Sequence, residues 1–254
     1  MGSLTIATPF YNEEEGINHY INTILKVLEK LPIEIKPTLI WVDDGSNDNT
    51  LSILKEKQKF LNQFKIKIIA HKKNYGYGRT LLNSIKNSNT DLFITYDADC
   101  CYDYNLIFEL LKVSQEMELD IVSVSYKLAN KKMNVSLFRN FLAYASIFLY
   151  KFMFKSLRKH KLSYFNCSFR IYKLDVIKDI FSLSDDFNAC AELLIKSTEK
   201  DIKIGEIPGE NTGRNFGKSK MKVFKNIINS LITIIKMKLG LKPKNKLDNR
   251  YEII

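Results

Sequence analysis

Short apolar runs alternate with stretches of helical spacing through the first half of the chain. Leu4 to Pro9, Thr38 to Val42, Ile66 to Ala70, Leu92 to Tyr96 and Asp120 to Tyr126 read as strands, the last with Ile and Val interleaved by Ser. Between them, helical spacing runs from about Glu15 to Lys30, Asp48 to Phe60, Gly78 to Ile85 and Leu106 to Met117, with Ser46 or Asp48 available to cap the second helix. Strict alternation of this kind predicts right-handed βαβ units: an α/β fold with a mainly parallel sheet and helices on both faces. The second half is less regular. Phe138 to Phe154 predicts a long apolar helix followed by the basic run Lys155 to Lys161. Phe169 to Leu174 predicts a strand, Ala189 to Glu199 a helix, and Ile202 to Ile207 a short strand stopped by Pro208. Beyond Arg214 the chain turns basic, then helical to Leu239, then polar and loose to Ile254.

Charge narrows the picture more than size does. The 254 residues hold 39 Lys and Arg against 28 Asp and Glu, a net +11 that suits a polyanionic partner: nucleic acid, anionic lipid or a phosphorylated substrate. Nucleic acid is disfavoured, because the basic residues are scattered or lie beside apolar helices and no nucleic-acid-binding module is present. Four cysteines without CxxC spacing read as reduced packing residues of a cytosolic chain. Leu4 opens a strand with no basic or cleavable apolar segment before it, so no leader is expected. No run reaches the roughly 20 apolar residues of a spanning helix. Phe138 to Phe154 is interrupted by Arg139, Asn140 and Lys151, and Val223 to Leu239 by Lys225, Asn226, Asn229, Ser230 and Lys236. Such helices either lie in a membrane interface, cations towards anionic headgroups, or pack on the core.

Ligands of open parallel sheets bind outside the carboxyl ends of the strands, and the polar clusters of this chain fall there. The first strand ends in Pro9-Phe10-Tyr11-Asn12-Glu13 and the second in Asp43-Asp44-Gly45-Ser46. The third runs into His71 to Gly78, and the fourth ends in Asp97-Ala98-Asp99. Asp43 to Ser46 could equally be a turn with a helix cap, and Gly76-Tyr77-Gly78 a loop that passes close to the sheet. Two carboxylates directly after an apolar strand repel one another unless a cation, a proton or a base resolves them. A turn begun at Asp97 lets one carboxylate face a metal and the other a ribose. Oxygen ligands of this kind favour Mg²⁺ or Mn²⁺, completed by substrate phosphates.

The runs TPFYNEEEG, WVDDGSNDNT, NYGYGRTLLNSI and YDADCCYD resemble the nucleotide-sugar half of the GT-A (Rossmann-like) glycosyltransferases. SFRIYKLDVI, AELLIKS and GRNFGKSKM are similar to later motifs of inverting enzymes related to dolichol-phosphate mannose synthase and the polyprenyl-phosphate glycosyltransferases. The resemblance spans about Leu4 to Met221. It implies a glycosyltransferase domain over 1–221, its donor half about 1–127 and acceptor half about 128–221, followed by a basic amphipathic helix and tail over 222–254. It also implies a nucleotide-sugar donor and a divalent metal. Pro9, Tyr11 and Glu13 would line the base and ribose pocket, and Asp43 with Asp44 would include the base-reading carboxylate. Asp97 would approach ribose or metal, and Asp99 would be the principal metal ligand, with Gly76, Gly78, Ala98 and Arg170 close to substrate. Arg214, Ser219 and Lys220 would bind phosphate, for which a bidentate guanidinium and an ammonium point charge are suited; a solvated or lipid-facing patch is the other reading of that basic run.

The chain departs from its relatives in two places. Cys101 stands where they usually carry Gln beyond the second Asp, and Tyr164 with Ser168-Phe169-Arg170 replaces an Asp and Gly-Phe-Arg. The first departure bears on metal preference, the second on the acceptor. Three functional readings follow. Transfer to a polyprenyl phosphate needs no general base, because the phosphate is already anionic, and would place the enzyme peripherally on the cytoplasmic face of a membrane. Transfer to a saccharide or glycolipid hydroxyl needs one, and Asp185, Asp186 or Glu192 could serve. The reading of another class is a membrane-associated scaffold without turnover.

Overall fold

A computed structural model describes residues 2–129, 137–213, 223–241 and 251–254. Their centre is an eight-stranded sheet of order β7-β5-β6-β4-β1-β2-β3-β8. β1 (Leu4–Phe10), β2 (Pro37–Asp43), β3 (Lys65–His71) and β4 (Leu92–Thr95) run parallel, with α1 (Ile17–Lys30), α2 (Thr50–Phe60) and α3 (Tyr77–Lys86) as crossovers. The chain winds outward from β1 through β2 to β3, then returns to place β4 on the other side of β1. That reversal creates a switch point between β1 and β4, where a crevice opens at the carboxyl edge. α4 (Leu106–Glu116) leads to β5 (Ile121–Ser125), and β7 (Ile204–Pro208) pairs parallel with β5. β6 (Arg170–Lys173) runs antiparallel between β4 and β5, so the sheet is mainly rather than wholly parallel.

Alternation along each central strand sends side chains to two apolar layers. Leu4, Ile6, Leu39, Trp41, Ile68 and Ile94 face α1, α2 and α4, whereas Ile40, Val42, Ile69 and Phe93 face α3 and α7 (Ala189–Ser197). α1 buries Ile17, Tyr20, Ile21, Ile24 and Val27, one stripe at helical spacing. Beneath the site, Phe10, Tyr20 and Trp41 pack edge-to-face with centroids 5.2 to 6.5 Å apart. The Tyr20 hydroxyl accepts from Trp41 Nε1 at 3.2 Å and pairs with Thr8 Oγ1 at 2.8 Å. This cluster ties the ends of β1 and β2 to α1.

One expectation narrows and another changes. Of the two candidate caps of α2, Asp48 bonds its first turn, Oδ1 accepting from Thr50 N at 3.0 Å while Oδ2 accepts from Glu14 N, whereas Ser46 instead braces the β1 loop, its Oγ accepting from Asn12 N. The tail is not loose at its end. Tyr251–Ile253 forms β8, antiparallel to β3, and Ile254 exchanges backbone hydrogen bonds with Ile68. β3 would otherwise present an open edge of backbone donors and acceptors.

α5 (Leu137–Met153) and α8 (Val223–Lys238) lie against each other beyond the sheet. Tyr144, Phe148 and Phe152 project from one face of α5, and Leu231, Ile232 and Ile235 from α8, all exposed. α8 also packs inward through Ile234, with Asn229 donating to Asp186 and Ser230 to Asn188. No described helix is long and apolar enough to cross a membrane.

Candidate active site

The carboxyl edge around the switch point is held together by loops that bond to one another. Asn12 adopts a left-handed φ of 51° at the end of β1, which Asn tolerates better than most residues. Its N–H donates to Ser46 Oγ at 2.9 Å and its side-chain oxygen accepts from Asn47 N at 2.8 Å. Glu13 N donates to Thr50 Oγ1 at 2.9 Å. Pro9, Tyr11 and Glu13 are thus placed, half-buried, along the rim between β1 and the start of α2.

Asp43 and Asp44 are both buried but differ in what surrounds them. Asp44 is fully engaged: Oδ1 meets His71 Nδ1 at 2.7 Å and accepts from Tyr75 N at 2.9 Å, while Oδ2 accepts from Gly76 N at 2.8 Å. Asn83 Nδ2 lies 2.9 Å from His71 Nε2, completing a chain that fixes the ring. Asp44 therefore pins the loop after β3 to the end of β2. Asp43 takes Ser46 N at 3.3 Å on Oδ2, but its Oδ1 is buried with no hydrogen-bond partner among the described residues. Burial pushes its pKa up, against the hydrogen bonds from Ser46. A buried acceptor left unmatched costs free energy, so such groups commonly await a ligand.

Gly76 and Gly78 are required by close backbone approach from the second half of the chain. A Cβ on Gly76, already at φ 96°, would lie 2.2 Å from the Asp185 carbonyl oxygen, and one on Gly78 would lie 1.8 Å from that of Ser184. Gly78 N donates to Asp185 O at 2.9 Å. Asp185 also approaches Arg79 Nε at 3.6 Å, its side chain partly exposed. The glycines thus join the two halves of the domain at the rim.

β4 ends in a tight turn in which Cys100 N donates to Asp97 O at 3.1 Å and Cys100 takes a left-handed φ of 49°. That turn brings a carboxylate oxygen of Asp97, one of Asp99 and Cys101 Sγ within 4.8 Å of one another. Ala98 is buried between the two half-buried acids. Ser168 Oγ donates to Asp97 Oδ2 at 2.6 Å, and Asn211 Nδ2 to Cys101 Sγ at 3.5 Å. Burial, with Asp97 and Asp99 adjacent, pushes the Cys101 thiol far above its ordinary pKa. Two hard oxygen donors and one sulfur at this spacing fit a divalent cation. Thr212 anchors to Cys101 O through N at 2.9 Å and Oγ1 at 3.1 Å, so the chain enters the basic GRNFGKSKM run from beside these donors. Arg214, Ser219 and Lys220 themselves lie outside the described residues.

Arg170 is in a different setting. It is fully enclosed, with Nε donating to Ser123 Oγ, and Nη1 and Nη2 to the carbonyls of Cys190 and Phe165. Glu192 is equally enclosed, pairing with Lys196 at 2.8 Å and accepting from Ser184 N at 2.6 Å. Both tie the core below the rim. Of these supporting residues Asn211 escapes a motif reading, whereas His71 opens the polar run after the third strand, Asn83 falls within NYGYGRTLLNSI and Ser168 stands beside Phe169-Arg170, none with a signal of what it bonds.

Residues 5–181 match the sequence family described as glycosyl transferase family 2. The chain is 27% identical over 234 residues to the undecaprenyl-phosphate 4-deoxy-4-formamido-L-arabinose transferase of Photorhabdus laumondii, covering 91% of this chain and 67% of that protein. It is 24% identical over 221 residues to the dolichol-phosphate mannosyltransferase of Pyrococcus furiosus, covering 86% and 59%. The chain spans about two thirds or less of the length of the curated relatives it matches. Among solved structures, Mycobacterium tuberculosis glucosyl-3-phosphoglycerate synthase in complex with Mn²⁺, UDP and glucosyl-3-phosphoglycerate superposes with TM-score 0.62 at 14% identity, covering 99% of this chain and 86% of that one. At that identity the likeness concerns the fold.

Proposed function

Because the chain belongs to glycosyl transferase family 2, and is therefore a glycosyltransferase, we propose that it moves a sugar from a UDP- or GDP-linked donor to a polyprenyl phosphate with inversion. The observation that carries this reading is the donor set of Asp97 and Asp99 at the switch point, with the unmatched oxygen of buried Asp43 across β1 at the end of β2. Asp43 then reads the base edge, with Pro9, Tyr11 and Glu13 along the base and ribose. Asp44 keeps the loop carrying Gly76 and Gly78 closed over the same crevice. Asp97 and Asp99 hold Mg²⁺ or Mn²⁺, which when bound neutralises the departing diphosphate. Arg214, Ser219 and Lys220 bind phosphate from donor or acceptor. One phosphate oxygen of the acceptor forms the new bond to the anomeric carbon as the bond to the diphosphate breaks, and the electron pair leaves with the diphosphate. The nucleophile is already anionic, so no residue is required as base.

The names of the relatives, an undecaprenyl-phosphate and a dolichol-phosphate transferase, support the lipid acceptor. So does the apolar face of α5 and α8, flanked by Lys151, Lys155, Arg158, Lys236 and Lys238. An interfacial helix pair with cations at its margin suits peripheral attachment to an anionic leaflet, here on the cytoplasmic side. A second reading, transfer to a saccharide hydroxyl, is favoured by one observation: Asp185 stands partly exposed at the rim beside Gly76, in reach of a base role that enclosed Glu192 lacks.

The test is release of nucleoside diphosphate from a panel of UDP- and GDP-sugars with Mg²⁺ or Mn²⁺ and short polyprenyl phosphates. Release should depend on the lipid phosphate and fall about 10³-fold in Asp99→Ala, the scale of several kcal/mol of lost charge stabilisation. Release only with a saccharide acceptor, lost in Asp185→Ala, would move the conclusion to the second reading.

A further inference from the structure

We infer that Cys101 Sγ is a ligand of the divalent ion at Asp97 and Asp99, and that it turns the site's preference from Mg²⁺ towards thiophilic ions such as Co²⁺, Zn²⁺ and Cd²⁺. The inference rests on the metal-site reading above and goes beyond it by assigning the third donor and its consequence for selectivity.

Position comes first. The left-handed turn at Cys100 folds the chain back after Asp99, and Sγ lies with the two carboxylate oxygens in one group no wider than 4.8 Å. Donors around one cation at 2.0 to 2.3 Å sit roughly 3 to 4.5 Å apart, so little closure is needed. The sulfur is also held in place. Cys101 N donates to Asp99 Oδ1 at 3.2 Å, its carbonyl is bound twice by Thr212, and Asn211 Nδ2 donates to Sγ. An outer partner of this kind orients a ligand and tunes it. Asp43 Oδ1, buried and without a partner among the described residues, independently marks the end of β2, across β1 from this turn, as a place that a ligand completes.

Chemistry then sets the preference. Mg²⁺ takes oxygen in near-octahedral geometry and gains little from sulfur, whereas thiolate sulfur selects softer ions. On coordination the thiol proton leaves to solvent and the sulfur lone pair binds the ion. An amide oxygen at the same place would keep the set all-oxygen and hospitable to Mg²⁺.

The full-length protein, stripped of metal, is titrated with Co²⁺ alone and followed by absorption. The expected result is a saturable sulfur-to-cobalt charge-transfer band in the near ultraviolet, absent from Cys101→Ser and Cys101→Gln although both still bind Co²⁺ and keep their far-ultraviolet circular dichroism. Competition by Mg²⁺ should improve in Cys101→Gln by about tenfold or more, the scale at which even outer-shell changes alter metal affinity. Co²⁺ binding without the band, or a band that survives in Cys101→Ser, overturns the inference and leaves the metal site standing. No Co²⁺ binding in the wild type, or binding indifferent to Asp99→Asn, overturns both.

Discussion

Charged side chains at the ends of β2 and β4, Asp43 buried and Asp97 and Asp99 half-buried, and those below β5 and β6, fully enclosed, do different things. At the ends of β2 and β4, Asp43, Asp97 and Asp99 sit at the rim, steadied by Ser46, Ser168 and the backbone. Below β5 and β6, Arg170 and Glu192 have their donors and acceptors occupied by Ser123, two carbonyls, Ser184 and Lys196. The lesson is that a motif residue is placed by topology before chemistry. The carboxyl end of a parallel strand points a side chain into the crevice, whereas an antiparallel strand such as β6 begins there and carries Arg170 inward.

Arg170→Ala is the substitution that tests this contrast most severely. It leaves three buried acceptors without a donor and opens a cavity, and should cost about 3 kcal/mol or more of unfolding free energy. Urea denaturation measures it. A variant of unchanged stability that has lost only acceptor affinity would place Arg170 with the rim carboxylates and dissolve the distinction. His71→Ala comes next. It removes one partner of buried Asp44 and the anchor of the loop after β3, and should cost about 1–3 kcal/mol. Because Asp44 holds that loop at the carboxyl edge proposed to bind the donor, KM for donor should rise more than kcat falls. Equal effects on both would mean that the loop acts on chemistry and not on donor binding.

Legibility followed the same divide. The strands β1 to β5, their helices and the four polar strand ends were readable because period-two and period-3.6 patterns are local, and because the carboxyl edge of such a sheet is where ligands go. The direction of β6 is not local. Phe169 to Leu174 reads as a strand in either orientation, and only its partners β4 and β5 make it antiparallel. β8 is similar, since Tyr251–Ile253 is too short to declare itself and forms because β3 offers an edge. Asp44 read as an equal of Asp43; what separates them is His71, a lone histidine at a strand end with nothing in its neighbourhood to announce its partner.

The outer face of α5 supplies a smaller effect. Phe148 and Phe152 stack 6.2 Å apart on α5, exposed. Phe148→Glu should leave stability within about 0.5 kcal/mol, as surface changes do. Binding to anionic vesicles in a flotation assay should nevertheless weaken by roughly tenfold or more, the equivalent of losing one Phe burial. Loss of stability with unchanged vesicle binding would instead assign this face to packing.

One expected change in stability is of opposite sign. Asp43 is buried with one oxygen unmatched, and burial raises its pKa. A raised carboxyl pKa means that the folded state holds the proton where the unfolded state has released it. Stability therefore falls as pH rises from the ordinary carboxylate range through the folded-state value, and the loss is complete above it. Asp43→Asn removes the buried charge while keeping the shape. It should stabilise the protein at neutral pH by about 1 kcal/mol and flatten that part of the pH profile, read by thermal melts from pH 3 to 7. The same change should weaken donor nucleotide binding, because an amide presents a donor where the base edge meets a carboxylate. Stabilisation with loss of donor binding is what separates a carboxylate kept for a ligand from one kept for the fold, and Asp44→Asn, which breaks contacts already made, should move stability the other way.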